Sequence, residues 1–179
     1  MGSHLHPTRL SRCLLVLLAS AGLACGGGDD GGGGGGGGVS FEDGKRGVAD
    51  LVDRTYDAAL SGLSPKPFPR ESVPCRSGGG TGPATGEYVP TGAIEFSIDE
   101  GNDPERLVDG VRQYWEEQGY RVQQVPGPAL LAQTDDDYQM SFDVTAKAGR
   151  ALLGATGPCA EPESEAQRES PPQFRSLKG

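Results

Sequence analysis

The histidine and carboxylate side chains decide which reactions this chain could catalyse. Both histidines, His4 and His6, lie before residue 25, in a segment that we expect to be removed. Triads with histidine, imidazole acid–base catalysis and His-ligated zinc or copper are therefore excluded from the rest of the chain. Three outward strand acids could form a carboxylate hydrolase pair, namely Glu95, Asp99 and Asp143. Because such acids are usually only solvated, we expect no enzyme and no cofactor.

Three consecutive acids, Asp135, Asp136 and Asp137, concentrate the oxygen ligands that calcium prefers. The segment lacks the alternating ligand spacing and the glycine of an EF-hand loop. A polar turn between two strands is the favoured explanation of the triplet. The sequence therefore leaves calcium binding open at this turn, and we assign no metal site.

The four cysteines divide into two groups. Cys13 and Cys25 belong to the N-terminal region, which leaves Cys75 and Cys159 in the body of the chain. In an exported domain two such thiols form a disulfide. The bridge would close a loop of 84 residues, which contributes about 4.5 kcal/mol in the chain-entropy model. A redox or catalytic pair would need close spacing or a neighbour that stabilises a thiolate, and the sequence has neither.

Residues 1–24 have the pattern of a secretory signal peptide. Arg9 and Arg12 precede an apolar segment of about 12 residues, which is too short to cross a bilayer as a helix. The following Gly22-Leu23-Ala24-Cys25 resembles the lipobox of bacterial lipoproteins, except at Gly22, where that family has an aliphatic residue. The resemblance implies that Cys25 is lipidated with acyl chains such as palmitate and becomes the N-terminus after cleavage.

Residues 25–40 comprise the lipidated cysteine and a glycine-rich tether, interrupted by Asp29 and Asp30. As a random coil the tether would span about 20 Å. No Lys-Ser/Thr or strand–helix context follows, as a phosphate-binding loop would require. We therefore expect a secreted protein that acylated Cys25 holds at the outer, extracytoplasmic face of the cell membrane.

The charge balance limits the possible partners. The whole chain has a net charge of −9, and without residues 1–24 it has 14 basic and 25 acidic side chains, a net charge of −11. Because the basic residues are scattered among acids, a nucleic-acid partner is excluded. We expect a monomer whose partners are the lipid bilayer, through Cys25, and a cell-surface protein or wall component.

Apolar periodicity predicts two amphipathic helices. The first extends to Leu63, and Gly44 and Gly47 would delay its firm start to about Arg46. The second begins at Asp103-Pro104-Glu105, an N-cap followed by proline, and ends near Gly119.

Alternating patterns predict strands at 93–99, 121–125, 129–134, 138–147 and 150–156. Residues 77–86 are predicted to form a flexible loop, and residues 161–179 a disordered tail. Strands that are apolar on one side, together with two amphipathic helices, predict an α+β fold. We expect residues 41–160 to form a two-layer sandwich, with an antiparallel sheet of about five strands and two helices on one face.

Aromatic side chains between these layers could fill a core or line a ligand pocket. The candidates for such a pocket are Phe96, Tyr114, Trp115 and Phe142. The apolar stripe of the second helix must be buried against other side chains, so we favour a core with Trp115 as its anchor.

The layout resembles a set of small lipoproteins from high-GC Gram-positive bacteria. The shared features are the lipobox, the tether, a helix, Pro74-Cys75, a helix of the Val111–Trp115 type followed by Gly119-Tyr120, and a last strand ending in Gly157-Pro158-Cys159. The resemblance spans most of the chain and brings no activity with it.

Three functions follow, in order of preference. The first is a binding or adaptor module that presents its polar sheet face or acidic loops to a protein or wall component. The second is a carrier or sensor of a small or lipidic ligand held between helices and sheet. The third is the carboxylate hydrolase.

Overall fold

A computed structural model describes residues 38–99 and 101–178. Residues 1–37, with the predicted signal peptide, Cys25 and most of the predicted tether, lie outside the described residues, so the predictions made for them stay predictions. Among the described helices, none is long and apolar enough to cross a membrane.

Helix α1 spans Phe41–Thr55 and continues as a π-helical turn, Tyr56–Leu60. Its start is capped by Ser40, whose Oγ accepts the backbone N–H of Asp43 at 3.1 Å. The prediction that the helix begins near Arg46 is wrong. Gly44 and Gly47 sit where neighbours approach closely: a Cβ at Gly44 would lie 2.8 Å from Pro90 Cγ, and one at Gly47 would overlap the Tyr138 phenol. Tertiary packing thus outweighs the low helix propensity of glycine.

Helix α2 spans Pro104–Glu117, as its start signal predicted. The Asp103 carboxylate accepts the backbone N–H of Glu105 at 3.0 Å, and Pro104 occupies the first turn. Gly119, with φ of +78°, follows the helix end.

The described residues contain eight strands: β1 (Pro65–Phe68), β2 (Val73–Arg76), β3 (Ala84–Val89), β4 (Thr91–Ser97), β5 (Arg121–Val125), β6 (Ala129–Gln133), β7 (Gln139–Thr145) and β8 (Arg150–Thr156). Six of them form one antiparallel sheet in the order β1-β4-β8-β7-β6-β5. Strands β2 and β3 form a separate antiparallel pair.

The α+β class with an antiparallel sheet is confirmed. The sheet has one strand more than expected, because β1 adds an edge next to β4. Pro65 and Pro67 can occupy this edge strand because proline has no backbone N–H and one row of backbone groups in an edge strand is unpaired. Strand β3 replaces part of the loop predicted at residues 77–86.

The core lies between the sheet and the two long helices, which both pack on the same face. Its largest fully buried side chains include Trp115 from α2, Phe96 from β4 and Phe142 from β7. Trp115 is therefore the core anchor that the helical stripe predicted.

The C-terminal segment, residues 161–178, is packed onto the domain, contrary to the predicted disorder. It contains a short helix α3 (Glu165–Glu169) and a 3₁₀ turn (Arg175–Leu177). Phe174 is 6% exposed and joins the core. The buried carboxylate of Asp53 accepts the backbone N–H groups of Arg175 at 2.7 Å and Ser176 at 3.0 Å. One buried aromatic ring and these specific polar contacts order a segment whose composition alone indicates disorder.

Candidate functional site

The outer face of the six-stranded sheet, opposite α1 and α2, presents polar side chains from several adjacent strands. Strand register places outward side chains in rows across the strands. One row is formed by Thr91, Thr156, Gln139, Gln133 and Arg121, and the next by Ala93, Gly154, Ser141, Leu131 and Gln123. In β7 the outward positions belong to Gln139, Ser141, Asp143 and Thr145, in agreement with the alternation of polar and apolar residues in its sequence.

Two adjoining clefts indent this face, and together we call them the outer-face groove. One cleft, of about 300 Å³, is lined by Arg121, Gln123 and Gln133. The other, of about 110 Å³, is lined by Ser141, Gly154 and Thr156. They share Leu131, Gln139 and Met140. Leu131 is 44% exposed, an apolar side chain at the centre of a polar surface.

The four aromatic residues considered for a ligand pocket belong to the core instead. Phe96, Trp115 and Phe142 are fully buried. The Tyr56 ring stacks on Phe96 with centroids 5.9 Å apart, and the Trp115 indole N–H donates to Thr55 Oγ1 at 3.0 Å. Protein side chains thus fill the space that was considered as the alternative ligand pocket, and the core interpretation of these residues agrees with their burial.

Tyr114 is the one half-buried member of that set, and it packs against the edge of the core. Partial burial raises the pKa of its phenol, and the nearby Tyr120 adds to the shift. The shift follows from packing and indicates no catalytic role.

The three acids of the hydrolase hypothesis do not converge. Glu95 and Asp143 are separated by β8, where Leu152 pairs with both, which places their Cα atoms about 10 Å apart. Glu95 forms an ion pair with Arg150 at 3.6 Å, and Asp143 accepts the Thr145 hydroxyl at 2.9 Å. Asp99 lies beyond the end of β4, in the connection to α2. The outer-face groove is lined by none of them.

The acidic triplet forms the turn between β6 and β7. Thr134 Oγ1 accepts the Tyr138 backbone N–H at 3.2 Å, and Asp137 has φ of +62°. Within residues 38–99 and 101–178, no group of three or more acidic, thiol or imidazole side chains could hold a metal ion. Burial raises the pKa of the adjacent Tyr138 phenol, and the charge of Asp136 raises it further.

Cys75 and Cys159 form a disulfide with their Cα atoms 6.2 Å apart, as predicted. The bridge ties β2 to the residues that follow β8. A pair of backbone hydrogen bonds between Tyr88 and Ala160, at 2.8 and 3.0 Å, reinforces this connection. The small sheet is thereby attached to the large one.

Sequence reasoning missed a second site, which we call the C-terminal cleft. It has a volume of about 680 Å³. One wall is formed by β1 and the residues that follow it up to Glu71, and the other wall is formed by the C-terminal segment. Its apolar lining consists of Pro67, Phe68, Pro69, Ala93, Pro171, Pro172, Phe174 and Leu177. A segment predicted to be disordered could not be expected to form a wall. The signal available in the sequence was Phe174, a single aromatic residue in a polar, proline-rich context.

Comparisons of the chain with models of protein families, with characterised proteins and with solved structures found no match.

Proposed function

We propose that this protein is a membrane-anchored, extracytoplasmic binding module that presents its outer face to a cell-surface protein. The observation that carries the proposal is the outer-face groove, where exposed Leu131 is surrounded by amide, hydroxyl and guanidinium side chains. An apolar centre with a polar surround is the usual composition of a protein-binding patch.

The outer face is also rigid, and this rigidity suits it to binding a partner. Its side chains come from the paired strands β4 to β8, whose backbones are fixed by the sheet and whose other side is the packed core. A partner would therefore lose little free energy in ordering this surface. Glutamine and hydroxyl side chains both donate and accept hydrogen bonds, which fits a polypeptide partner with exposed backbone groups.

The proposed anchor follows from the sequence. Lipidation of Cys25 and the glycine-rich tether would hold the domain close to the bilayer while leaving it free to turn. This places the protein among other membrane-bound molecules and raises their effective concentration at the groove.

Cross-linking on intact cells tests the proposal. Full-length protein is cross-linked, purified under denaturing conditions and analysed by mass spectrometry. We expect one stoichiometric surface protein that is lost in Leu131→Asp, because a charge at the centre of an interface must be desolvated.

The matched control is Val73→Asp. Val73 is 56% exposed and lies on β2, outside the outer face, so the partner should be retained. Loss of the partner in both variants, or in neither, would contradict the assignment to the outer face. Retention on isolated wall material without any cross-linked protein would point to a wall component instead. Cys25→Ala should release the protein into the medium.

A further inference from the structure

We propose that the C-terminal cleft binds a fatty-acid-like amphiphile, a single apolar chain that ends in a carboxylate. This cleft adjoins the outer-face groove, since Arg70 lines both, but the inference does not depend on the function proposed above. It also differs from the ligand position first considered, which the core fills.

The apolar part of the ligand would lie against the walls of the cleft. Ala93 and Phe174, both among its lining, are buried, whereas Phe68 and Leu177 are half-buried and available to a ligand. The volume of about 680 Å³ lies within the range of small-molecule sites, roughly 300–1,000 Å³. Prolines on both walls stiffen them, because their φ angles are fixed.

Charged side chains at the rim of the cleft would contact the head group of the ligand. Arg70 and Lys178 line it, and neither forms an ion pair with any residue of the described chain. The Arg70 guanidinium lies 5.6 Å from the centroid of the Phe68 ring, which holds it at the mouth of the cleft.

Two acids share the rim, Glu71 and Glu169. Glu169 lies 3.3 Å from Arg168, but Arg168 also pairs with Glu165 at 3.2 Å. The rim thus has two basic and two acidic side chains and is neutral, on a protein whose net charge is −9. An anionic head group is therefore repelled less at this rim than over the rest of the surface, and Arg70 and Lys178 can donate hydrogen bonds to its carboxylate.

The wall supplied by the C-terminal segment is held in place before any ligand binds. Lys45, itself 4% exposed, donates from Nζ to Ser170 Oγ at 2.7 Å and to the Gln167 carbonyl oxygen at 3.0 Å. Asp53 holds the Arg175–Leu177 turn, as described above. A site whose walls are preformed loses less free energy in ordering when the ligand enters.

Three probes with the same dodecyl chain test the proposal. Dodecanoate, dodecyl maltoside and dodecyltrimethylammonium are titrated calorimetrically, below their micellar concentrations, into full-length Cys25→Ser protein, which carries no acyl chain of its own. We expect saturable binding of one dodecanoate, at least tenfold tighter than either other probe. Because the whole molecule attracts cations, a preference for the anion must originate at the site. Absence of saturable dodecanoate binding, or equal binding of the cationic probe, would overturn the proposal.

Variants locate the site. Arg70→Gln and Lys178→Gln should each weaken dodecanoate binding about two- to fivefold, the size expected of an exposed ion pair. Arg106→Gln removes an exposed charge from α2, away from the cleft, and should leave binding unchanged. Leu177→Asp should abolish binding, as should Pro69→Asp on the opposite wall, which is exposed and leaves the C-terminal segment intact. Unchanged binding in Pro69→Asp, or an equal loss in Arg106→Gln, would show that dodecanoate binds elsewhere.

Discussion

The hydrogen bond from the Trp115 indole to Thr55 links the two long helices at the level of single atoms. Thr55 is fully buried, and its own hydroxyl donates to the Leu51 carbonyl oxygen at 2.8 Å. This hydroxyl is the group that accepts the hydrogen bond of the Trp115 indole N–H. We expect Thr55→Val, which keeps the shape and removes the acceptor, to lower the free energy of unfolding by about 1–3 kcal/mol. Urea denaturation followed by tryptophan fluorescence measures this.

Thr55→Ser is the matched control for that substitution. It keeps the hydroxyl and removes one buried methyl group, so the expected loss is about 0.8 kcal/mol. A serine variant less stable than the valine variant would mean that packing of the methyl group, and not the hydrogen bond, matters at this position.

Two glycines within helices are expected to respond oppositely to the same substitution. Gly110→Ala in α2 adds a Cβ with nothing within 4 Å, and should stabilise the protein by about 0.5–1 kcal/mol through helix propensity. Gly47→Ala in α1 adds one where the Tyr138 phenol lies, and should destabilise by about 1–3 kcal/mol through overpacking. Thermal denaturation of both variants measures whether each substitution raises or lowers the stability of the protein. Stabilisation by Gly47→Ala would mean that α1 is not packed against Tyr138 as described.

The C-terminal segment is expected to behave as part of the domain. Phe174→Ala removes a buried ring from the core cluster and should cost about 3–5 kcal/mol, whereas Phe174→Leu should retain most of the stability. Denaturant unfolding measures both, and hydrogen exchange of the Arg175 and Ser176 amides follows the segment itself. A cost below about 1 kcal/mol, with rapid exchange of these amides in the unsubstituted protein, would contradict the described packing.

The strands whose bounds the sequence predicted correctly are those with clear turn residues on both sides. Strands β5 and β8 have the predicted bounds, because their neighbouring turns contain Gly or Pro. Strand β1 escaped prediction because Pro65 and Pro67 indicate a break, and only the neighbouring β4 makes an edge strand of this segment. The C-terminal segment escaped because its order depends on Asp53, which is distant in sequence.

At the scale of the whole molecule, the candidate sites were also predictable only where they depend on local sequence pattern and not on contacts between distant segments. Alternation predicts that Gln139 and Ser141 point outward, but their neighbours depend on strand order. Leu131 and Gly154 lie on either side of Ser141 only because β7 is between β6 and β8. The outer-face groove and the C-terminal cleft are products of tertiary structure, whereas the disulfide could be inferred from cysteine arithmetic.

That disulfide gives a prediction for the molecule as a whole. Its loop of 84 residues contains both β4 and α2, so the bridge restricts most of the unfolded chain. In a Cys25→Ser background, the double variant Cys75→Ala and Cys159→Ala should lose about 4.5 kcal/mol of unfolding free energy in the chain-entropy model. Urea denaturation followed through Trp115, the single tryptophan, measures this loss in the core. A loss below about 1 kcal/mol would show that the bridge fastens only the small sheet, and hydrogen exchange should then accelerate in β2 and β3 alone.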